Sequence, residues 1–430
     1  MNVGMISLGC AKNKVDSEEI LSFFVRNGFN LVNSKNLADI LVINTCGFIE
    51  SAKKEAIDTI FDALKYHKIT IVMGCLVERY YDDLVKEIPE VDLFVRIKDY
   101  PRFGELLKPV LKNKELKGNI ERDQRVLTTP SYQAYLQISD GCDNFCTFCA
   151  IPLIRGRFHS FDFESIKNQM SSLAKAGIME LIIISQDTSK YGLDLKGQNL
   201  TICSVLKEAL KYPEFKFIRL LYLYPDEITD EFIQLYKDNP RLTPYFDVPI
   251  QHCNDMILKK MHRHGDKKLI ETVYKKLREV KNAVIRTTLI VGFPFETRKE
   301  VDELKSFIQE YPFDHLGVFK YSPEEGTAGA KMPNQVAEKE KSYRYNLIMK
   351  TQAGVSFKLN QKRVGQVIDV LVTDYDPKNF TYNGICDLFA PDDIDGRIYL
   401  YSNRELKAGE MVKAKIVNGG IYDIDAEVVE

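Results

Sequence analysis

The chain has 430 residues, 45 % of them hydrophobic and 28 % charged, with a formal net charge of −2. This suits a globular protein of two or three domains and gives no global basic footprint for nucleic acid. The start, MNVGMISLGC, lacks the basic residues and long apolar run of a secretory signal, and no stretch approaches the roughly 18 apolar residues that span a bilayer, so a cytoplasmic protein with no membrane partner is expected. Disulfides are disfavoured in that compartment, and nine cysteines cannot all pair. Metal binding, catalysis or plain burial explains them better.

Along the first segment, short β-branched runs at 3–8 (VGMISL), 39–44 (DILVIN) and 69–74 (ITIVMG) alternate with helical patterns such as VDSEEILSFFVRNGF, which predicts a parallel sheet flanked by helices. Residues 106–128 turn polar and unpatterned and read as a linker. From about 132 the alternation resumes. AYLQIS, ELIIIS, KFIRLLYL, YFDVPI, VIRTTLIVG and HLGVFKYS are six strand candidates with helical segments between them. Six βα units fit a partial (β/α)6 barrel, in which chemistry sits at the C-terminal ends of the strands. Residues 335–360 predict a connecting helix. After it, five short runs with turn signals (365–374, 380–386, 396–401, 410–419 and 423–429) predict a small OB-like barrel. The fold class is therefore α/β with a β-barrel tail, and the expected domains are 1–125, 130–335, a helix at 336–360, and 361–430.

The densest chemical signal is DGCDNFCTFCAIP at 140–152, where Cys142, Cys146 and Cys149 form C-x3-C-x2-C directly after a strand candidate. A zinc site normally closes with four ligands, and no fourth is evident nearby. Three thiolates on a cubane iron–sulfur cluster would leave one iron open, as a reactive cluster requires. An incomplete zinc site and three simply buried thiols are the alternatives. The pattern resembles the radical S-adenosylmethionine superfamily, whose signature is C-x3-C-x2-C after the first barrel strand. The resemblance implies that the open iron takes the amino and carboxylate groups of S-adenosylmethionine. It places Phe148 near the adenine, and Gln186 and Asp187 at the methionyl amino group, where the usual Gly-Gly-Glu is absent. It also brings the loop Gly292, Phe293 and Pro294 (VGFPFE, 291–296) close to the ligand.

Cys10, Cys46 and Cys75 each follow a strand candidate of the first domain. Parallel strands present such ends on one edge, so the three can converge in space; individually each also suits burial. Together with SLGCAKNKVDSE, INTCGFIESAKKE, GCLVER, CDNFCTFCAIPLIRGRFHS, PIQHCNDMILKKMHR, IVGFPFET and YSPEEGTAGAKM, they resemble the methylthiotransferases over essentially the whole chain. One departure is Phe161, where relatives usually carry Arg. The resemblance implies two 4Fe–4S clusters, one held by Cys142, Cys146 and Cys149, the other by Cys10, Cys46 and Cys75. It further implies S-adenosylmethionine, an external electron donor such as flavodoxin or ferredoxin, a sulfur donor, and a C-terminal TRAM-type domain that reads the target. No dimer motif is visible, and a monomer is expected. His252, His262 and His264 are expected to be structural or polar-lining residues, and Cys203, Cys253 and Cys386 buried thiols.

The family divides between enzymes that modify a transfer-RNA adenosine and enzymes that modify the β-carbon of an aspartate in ribosomal protein S12. Residues 361–430 hold 8 Lys and Arg against 13 Asp and Glu. An acidic reader repels RNA and attracts a basic protein. Asp392, Asp393 and Asp395 in APDDIDGRIYL supply much of that charge and favour the protein substrate; transfer RNA is the alternative. An electron-transfer protein would give each cluster four cysteines and would not need a barrel, and a bare RNA-binding module would not need the cysteines.

Overall fold

The computed structural model describes residues 1–112 and 114–429. Asn113, within the stretch read as a linker, and Glu430, the last residue of the expected C-terminal barrel, lie outside the described residues. The chain divides into two units. The first comprises Met1–Ala176, Ile184–Gln186 and Ser322–Ala330, the second Gly177–Ile183, Asp187–Tyr321 and Lys331–Glu430.

The first unit opens with β1 (Asn2–Ser7), α1 (Ala11–Arg26), β2 (Asn30–Leu31), β3 (Ile40–Thr45), α2 (Glu50–Leu64), β4 (Ile69–Gly74), α3 (Cys75–Glu87) and β5 (Leu93–Val95). The strands form a parallel sheet in the order β2-β1-β3-β4-β5. All six residues of β3 are buried, as expected of a strand covered by helices on both faces. One face packs on Ile20, Phe23 and Phe24 of α1 and on Phe103 and Leu107 of α4 (Phe103–Val110). The other packs on Ala56, Ile60 and Ala63 of α2 and on Leu76, Val77 and Leu84 of α3. β2 and β5, of two and three residues, are too short to show a period in the sequence.

The stretch read as a linker begins inside α4, whose Leu107 belongs to the core. The described residues beyond it are pinned along α1. Glu121 pairs with Arg26 at 2.7 Å, Lys117 N donates to Asn27 Oδ1, Val126 N donates to Glu18 O, and Thr128 N and Oγ1 both donate to Glu18 Oε1. β6 (Gln133–Gln137) follows, then two short strands, β7 (Ser139–Asp140) and β8 (His159–Ser160), which pair antiparallel across the neck of the cysteine loop. After the short α5 (Ile151–Ile154) and β8 comes α6 (Phe163–Lys175), capped by Asp162, which accepts from Ser165 N.

The second unit carries β9 (Glu180–Ile184, whose last residue lies in the first unit), α7 (Ile202–Ala209), β10 (Phe217–Leu220), α8 (Asp230–Asp238), β11 (Tyr245–Asp247), α9 (Asp255–Lys260), α10 (Lys267–Arg278), β12 (Val284–Val291), α11 (Arg298–Glu310) and β13 (His315–Lys320). β9 and β10 pair in parallel, as do β11, β12 and β13, and an Ile218–Leu242 bridge links the two groups. Two strand candidates end earlier than their apolar runs. Tyr222 at φ 64° and Gln251 at φ 68° turn the chain just past β10 and β11, leaving irregular segments at the strand ends where barrels of this kind carry function.

α12 (Glu338–Arg363) buries a mostly polar row at four-residue spacing: Arg344, Ile348, Gln352, Ser356 and Asn360. Gln352 donates to Phe313 O, Ser356 to Asp314 O and Asn360 to Gly420 O. Hydrogen bonds to backbone thus fix this helix where an apolar stripe ordinarily would. The chain ends in a closed barrel of β14 (Val367–Asp376), β15 (Thr381–Ile385), β16 (Ile398–Tyr401), β17 (Met411–Gly419) and β18 (Ile424–Val429). The expected α/β architecture with a small barrel at its end is present.

The 386–395 loop of that barrel corrects the charge expectation. The Asp395 carboxylate is buried, accepts from Arg286 Nε at 3.0 Å and from Ala390 N, and bonds the Tyr245 hydroxyl. Arg219 donates to Cys386 O at 2.9 Å, and His315 Nε2 meets Leu388 O at 2.6 Å. Asp395 is therefore an internal fastener, not surface charge. Asp392 and Asp393 stay exposed, the latter paired with Arg397 at 2.7 Å. The acidity of the tail consequently says less about its partner than the residue count implies.

Candidate functional site

Cys10 caps α1, Cys46 follows β3, and Cys75 opens α3 directly after β4. Because β1, β3 and β4 are parallel neighbours in register, with Ser7 opposite Asn44 and Thr45 opposite Gly74, the three cysteines lie on one edge of the sheet. Glycines make room between them. A Cβ on Gly9 (φ +89°) would fall 2.8 Å from Cys46 Cβ and 3.1 Å from Cys46 Sγ, and one on Gly47 would fall 2.7 Å from Leu76 Cα. Gly74 sits at φ +98°, open only to glycine at little strain. Cys10 is exposed, Cys46 half-buried and Cys75 buried.

Two residues that pattern reading missed organise this edge. Asn13, one turn after Cys10, donates from Nδ2 to Leu8 O and Thr45 O, both at 3.0 Å. Its Oδ1 lies 3.4 Å from Cys75 Sγ. Arg155, from the segment after the other cysteine loop, reaches Asp16 at 2.6 Å, Asn13 Oδ1 at 2.8 Å and Cys75 Sγ at 3.5 Å, with Asp140 also at 3.5 Å. It is buried, and its guanidinium is held charged, against the pull of burial, by Asp16, Cys75 and Asp140. Burial pushes the Cys75 thiol up to about 12, with Arg155 opposing and Cys10, Asp16 and Cys46 adding. Burial also raises Cys46, with a contribution from Cys10.

A second contact layer joins this edge to residues 322–330. Arg79 of α3 donates to Gly47 O at 2.9 Å, to Glu325 O at 2.7 Å and to Glu324 at 3.1 Å; Lys53 of α2 reaches Glu324 at 3.2 Å. The buried Glu324 carboxylate thus gathers two cations beside the residue that follows Cys46. This accounts physically for the GCLVER and SPEEGT motifs. Phe161 is buried, and the Arg122 guanidinium lies 3.9 Å from its ring centre, so a stacked cation stands at the position where Arg was expected.

The loop of Cys142, Cys146 and Cys149 is closed at its base by β7 and β8 and by Cys142 N donating to Gly156 O. Gly141 (φ +73°) is obligatory there, since a Cβ would fall 2.1 Å from Arg157 O. Cys142 and Cys146 are buried and Cys149 half-buried. Asn144 Nδ2 points at Cys142 Sγ (3.4 Å) and Ile151 N at Cys149 Sγ (3.5 Å). Donors aimed at sulfur are what a thiolate ligand needs around it. Phe148 is half-buried beside Cys149. Among the described residues, no three His, Cys, Asp or Glu side chains converge on a single-ion site.

The other sequence candidates fare unevenly. Gln186, in the first unit, is half-buried, with Oε1 buried and lacking a hydrogen-bond partner. Asp187, in the second, is fully buried and accepts from Ser189 Oγ at 2.6 Å with Lys190 at 3.8 Å; its carboxylate organises its own turn. Gly292 (φ +75°) leaves room for Lys341, whose Cγ would lie 2.4 Å from an added Cβ, so packing against α12 explains this glycine. Phe293 is a core residue edge-on to Tyr321, and Pro294 is buried.

Behind that loop, Glu296 Oε1 accepts from Gly292 N and Arg344 Nη1, both at 2.7 Å, and Oε2 lies 3.5 Å from His252 Nε2. His252 Nδ1 accepts from the backbone N–H groups of Cys253 and Asn254, so its proton is on Nε2, facing Glu296. His252 thus ties the backbone at 253–254 to Glu296. Cys203, Cys253 and Cys386 are buried.

Comparison with known proteins places these features in a family. An uncharacterised protein family designated UPF0004 matches residues 2–96, the radical SAM superfamily 136–308 and the TRAM domain 364–429. The chain is 43 % identical over 437 residues to the ribosomal protein uS12 methylthiotransferase RimO of Thermoanaerobacter sp. (strain X514), covering 99 % of both chains. It is 44 % identical over 435 residues to the protein of the same name from Alkaliphilus oremlandii (strain OhILAs), covering 100 % of this chain and 99 % of that one. Among solved structures, the radical S-adenosylmethionine methyltransferase TsrM from Kitasatospora setae superposes with a TM-score of 0.55 at 13 % identity, over 74 % of this chain and 72 % of that one. The cobalamin-dependent radical enzyme OxsB gives 0.52 at 13 %, over 81 % and 56 %. These two speak for the fold alone. With two full-length relatives above 40 % identity, the chain belongs to the uS12 methylthiotransferase (RimO) family of radical SAM enzymes.

Proposed function

We propose that this enzyme inserts a methylthio group at the β-carbon of an aspartate in ribosomal protein uS12. The observation that carries this reading is the full-length likeness to proteins named for that activity. The cysteine geometry supports it in the chemistry required. An sp3 C–H has no acidic proton for a general base, so a radical route is needed. In sequence the three remaining cysteines, Cys203, Cys253 and Cys386, lie far from both triads, which suits clusters with one iron left open.

When bound, such a cluster supplies reductive cleavage of S-adenosylmethionine and thereby hydrogen abstraction from an unactivated carbon. Cys142, Cys146 and Cys149 would hold that cluster, with the donors of Asn144 and Ile151 stabilising thiolate charge. Cys10, Cys46 and Cys75 would hold a second, in the space kept by Gly9 and Gly47. There Arg155 and Asn13 would orient the buried Cys75 and compensate its negative charge. Gln186 Oε1, buried without a partner, is the polar atom best suited to an incoming ammonium group.

An external one-electron donor, a separate sulfur donor, a monomeric state and a cytoplasmic location complete the reading, with domains at 1–125, 130–335 and 361–430 joined by a helix at 336–360. The test is the mass of purified uS12 after anaerobic incubation with the reconstituted enzyme, reductant, sulfide and S-adenosylmethionine, beside a sample holding transfer RNA. A methylthio gain on one aspartate of uS12 is expected; a gain on the RNA alone would overturn the substrate.

A further inference from the structure

From Lys341 to Ile368 the chain runs 28 residues without an Asp or Glu, in a protein with 61 acidic residues. The same stretch holds six cations, and the structure sorts them into two sets. Lys341 donates to Tyr321 O, Arg344 pairs with Glu296 and Glu340, and Arg363 pairs with Asp314. Lys350, Lys358 and Lys362 face outward. They join Lys305 of α11 along a groove of about 610 Å³ floored by Leu347 and Val355.

None of these four lysines pairs with an acid among the described residues. Other surface hollows are mixed in sign: Lys35 and Lys54 lie with Glu55, Asp58 and Asp62, and Lys259 and Arg263 with Asp255 and Asp266. Lys358 and Lys362 stand at i, i+4, a like-charge spacing that destabilises an isolated helix by about 0.2–0.5 kcal/mol. The groove thus concentrates positive charge on a protein of net charge −2; of the three α12 lysines Lys362 alone lies in the last turn, where the helix dipole favours a cation.

We infer that the α11–α12 groove binds an RNA phosphate backbone. Lys350, Lys358 and Lys362 lie along one face of α12 over twelve residues, about 18 Å of helix axis, long enough to follow several successive phosphates. Lysine ammoniums are flexible point charges suited to sequence-independent phosphate contact. RNA is the occupant favoured over an acidic protein because the inference rests on the reading that the substrate is a ribosomal protein, met in a particle built largely of RNA. The groove docks the enzyme there; it is not where chemistry occurs.

The test is fluorescence anisotropy of a labelled 20-nucleotide single-stranded RNA with the full-length protein across a salt series. For four phosphate contacts, log K against log salt should slope at about −3. Replacing Lys350, Lys358 and Lys362 together by Gln should flatten the slope by about 2 and weaken binding at least tenfold at low salt. A control with Lys35, Lys54 and Lys259 replaced should change neither, with far-UV circular dichroism confirming that both variants fold. Absence of RNA binding by the unaltered protein, an unchanged slope in the groove variant, or equal competition by poly-glutamate would each overturn the inference. Methylthio transfer to isolated uS12 should be the same in the groove variant. If the unaltered protein binds RNA through the groove but does not modify uS12, the groove stands and the substrate reading falls.

Discussion

Replacing Arg155 by Met tests the contact system between the two cysteine triads. Its side chain and that of Asp16 are 2 % and 5 % exposed and meet at 2.6 Å, with Asp140 a second carboxylate at 3.5 Å. Met fills similar volume, so packing changes little while the charge disappears. Asp16 is then a buried carboxylate with no cation, a situation that costs about 3–5 kcal/mol. The chain has no Trp, so far-UV circular dichroism is the natural probe of urea unfolding. At an m-value of about 3 kcal/mol/M the midpoint should fall by about 1–1.7 M. Adding Asp16→Asn removes the stranded charge, and the double variant should recover about 1–3 kcal/mol relative to the sum of the single changes. A midpoint shift for Arg155→Met below about 0.3 M, or strict additivity in the double variant, would refute the idea that this arginine is a charge-compensating tie.

Glu19 is buried, and burial lifts its carboxyl to about 7, with Asp16 and Asp140 adding and Arg122 and Arg125 opposing. Its folded pKa lies above the ordinary value, so the folded state binds the extra proton and stability is lost as pH rises from about 4.5 to about 7. Glu19→Gln should match the parent near pH 4.5 and exceed it by about 3 kcal/mol at pH 8, read from urea midpoints at both values; an equal difference at both would count against the assignment. Asp395→Ala strips a partner from Tyr245 and Arg286 while Asp247 still holds the arginine. It should cost about 2–3 kcal/mol and open the 386–395 loop to limited proteolysis, with cleavage unchanged as the contrary result. Replacing Cys10, Cys46 and Cys75 by Ala should remove half of the iron from the anaerobically reconstituted protein, and replacing Cys142, Cys146 and Cys149 should remove the other half. Full iron retention in either variant would count against two separate clusters.

Local sequence determined a good deal by itself. The β-branched runs that became β1, β3 and β4 are long and apolar enough to be strands in any context, and placing a cysteine just past each one fixed the shared edge as soon as the sheet was parallel. The spacing of Cys142, Cys146 and Cys149 needed no fold to be recognised. The five strands of the terminal barrel were equally legible, because alternation and turn residues are local signals. What stayed hidden depends on residues distant in sequence. Arg155 and Cys75 are 80 positions apart, and Arg79 and Glu324 are 245 apart; no periodicity encodes such partners. Asp395 reads as surface acid until Arg286, 109 positions earlier, closes over it. Gly292 reads as a turn glycine, and nothing local announces that Lys341 of α12 packs against it. In each case the residue type was plain in the sequence, but burial and pairing are properties of the assembled packing, and that packing alone decided which charges point inward, like Lys341 of α12, and which, like Lys350, Lys358 and Lys362, face outward.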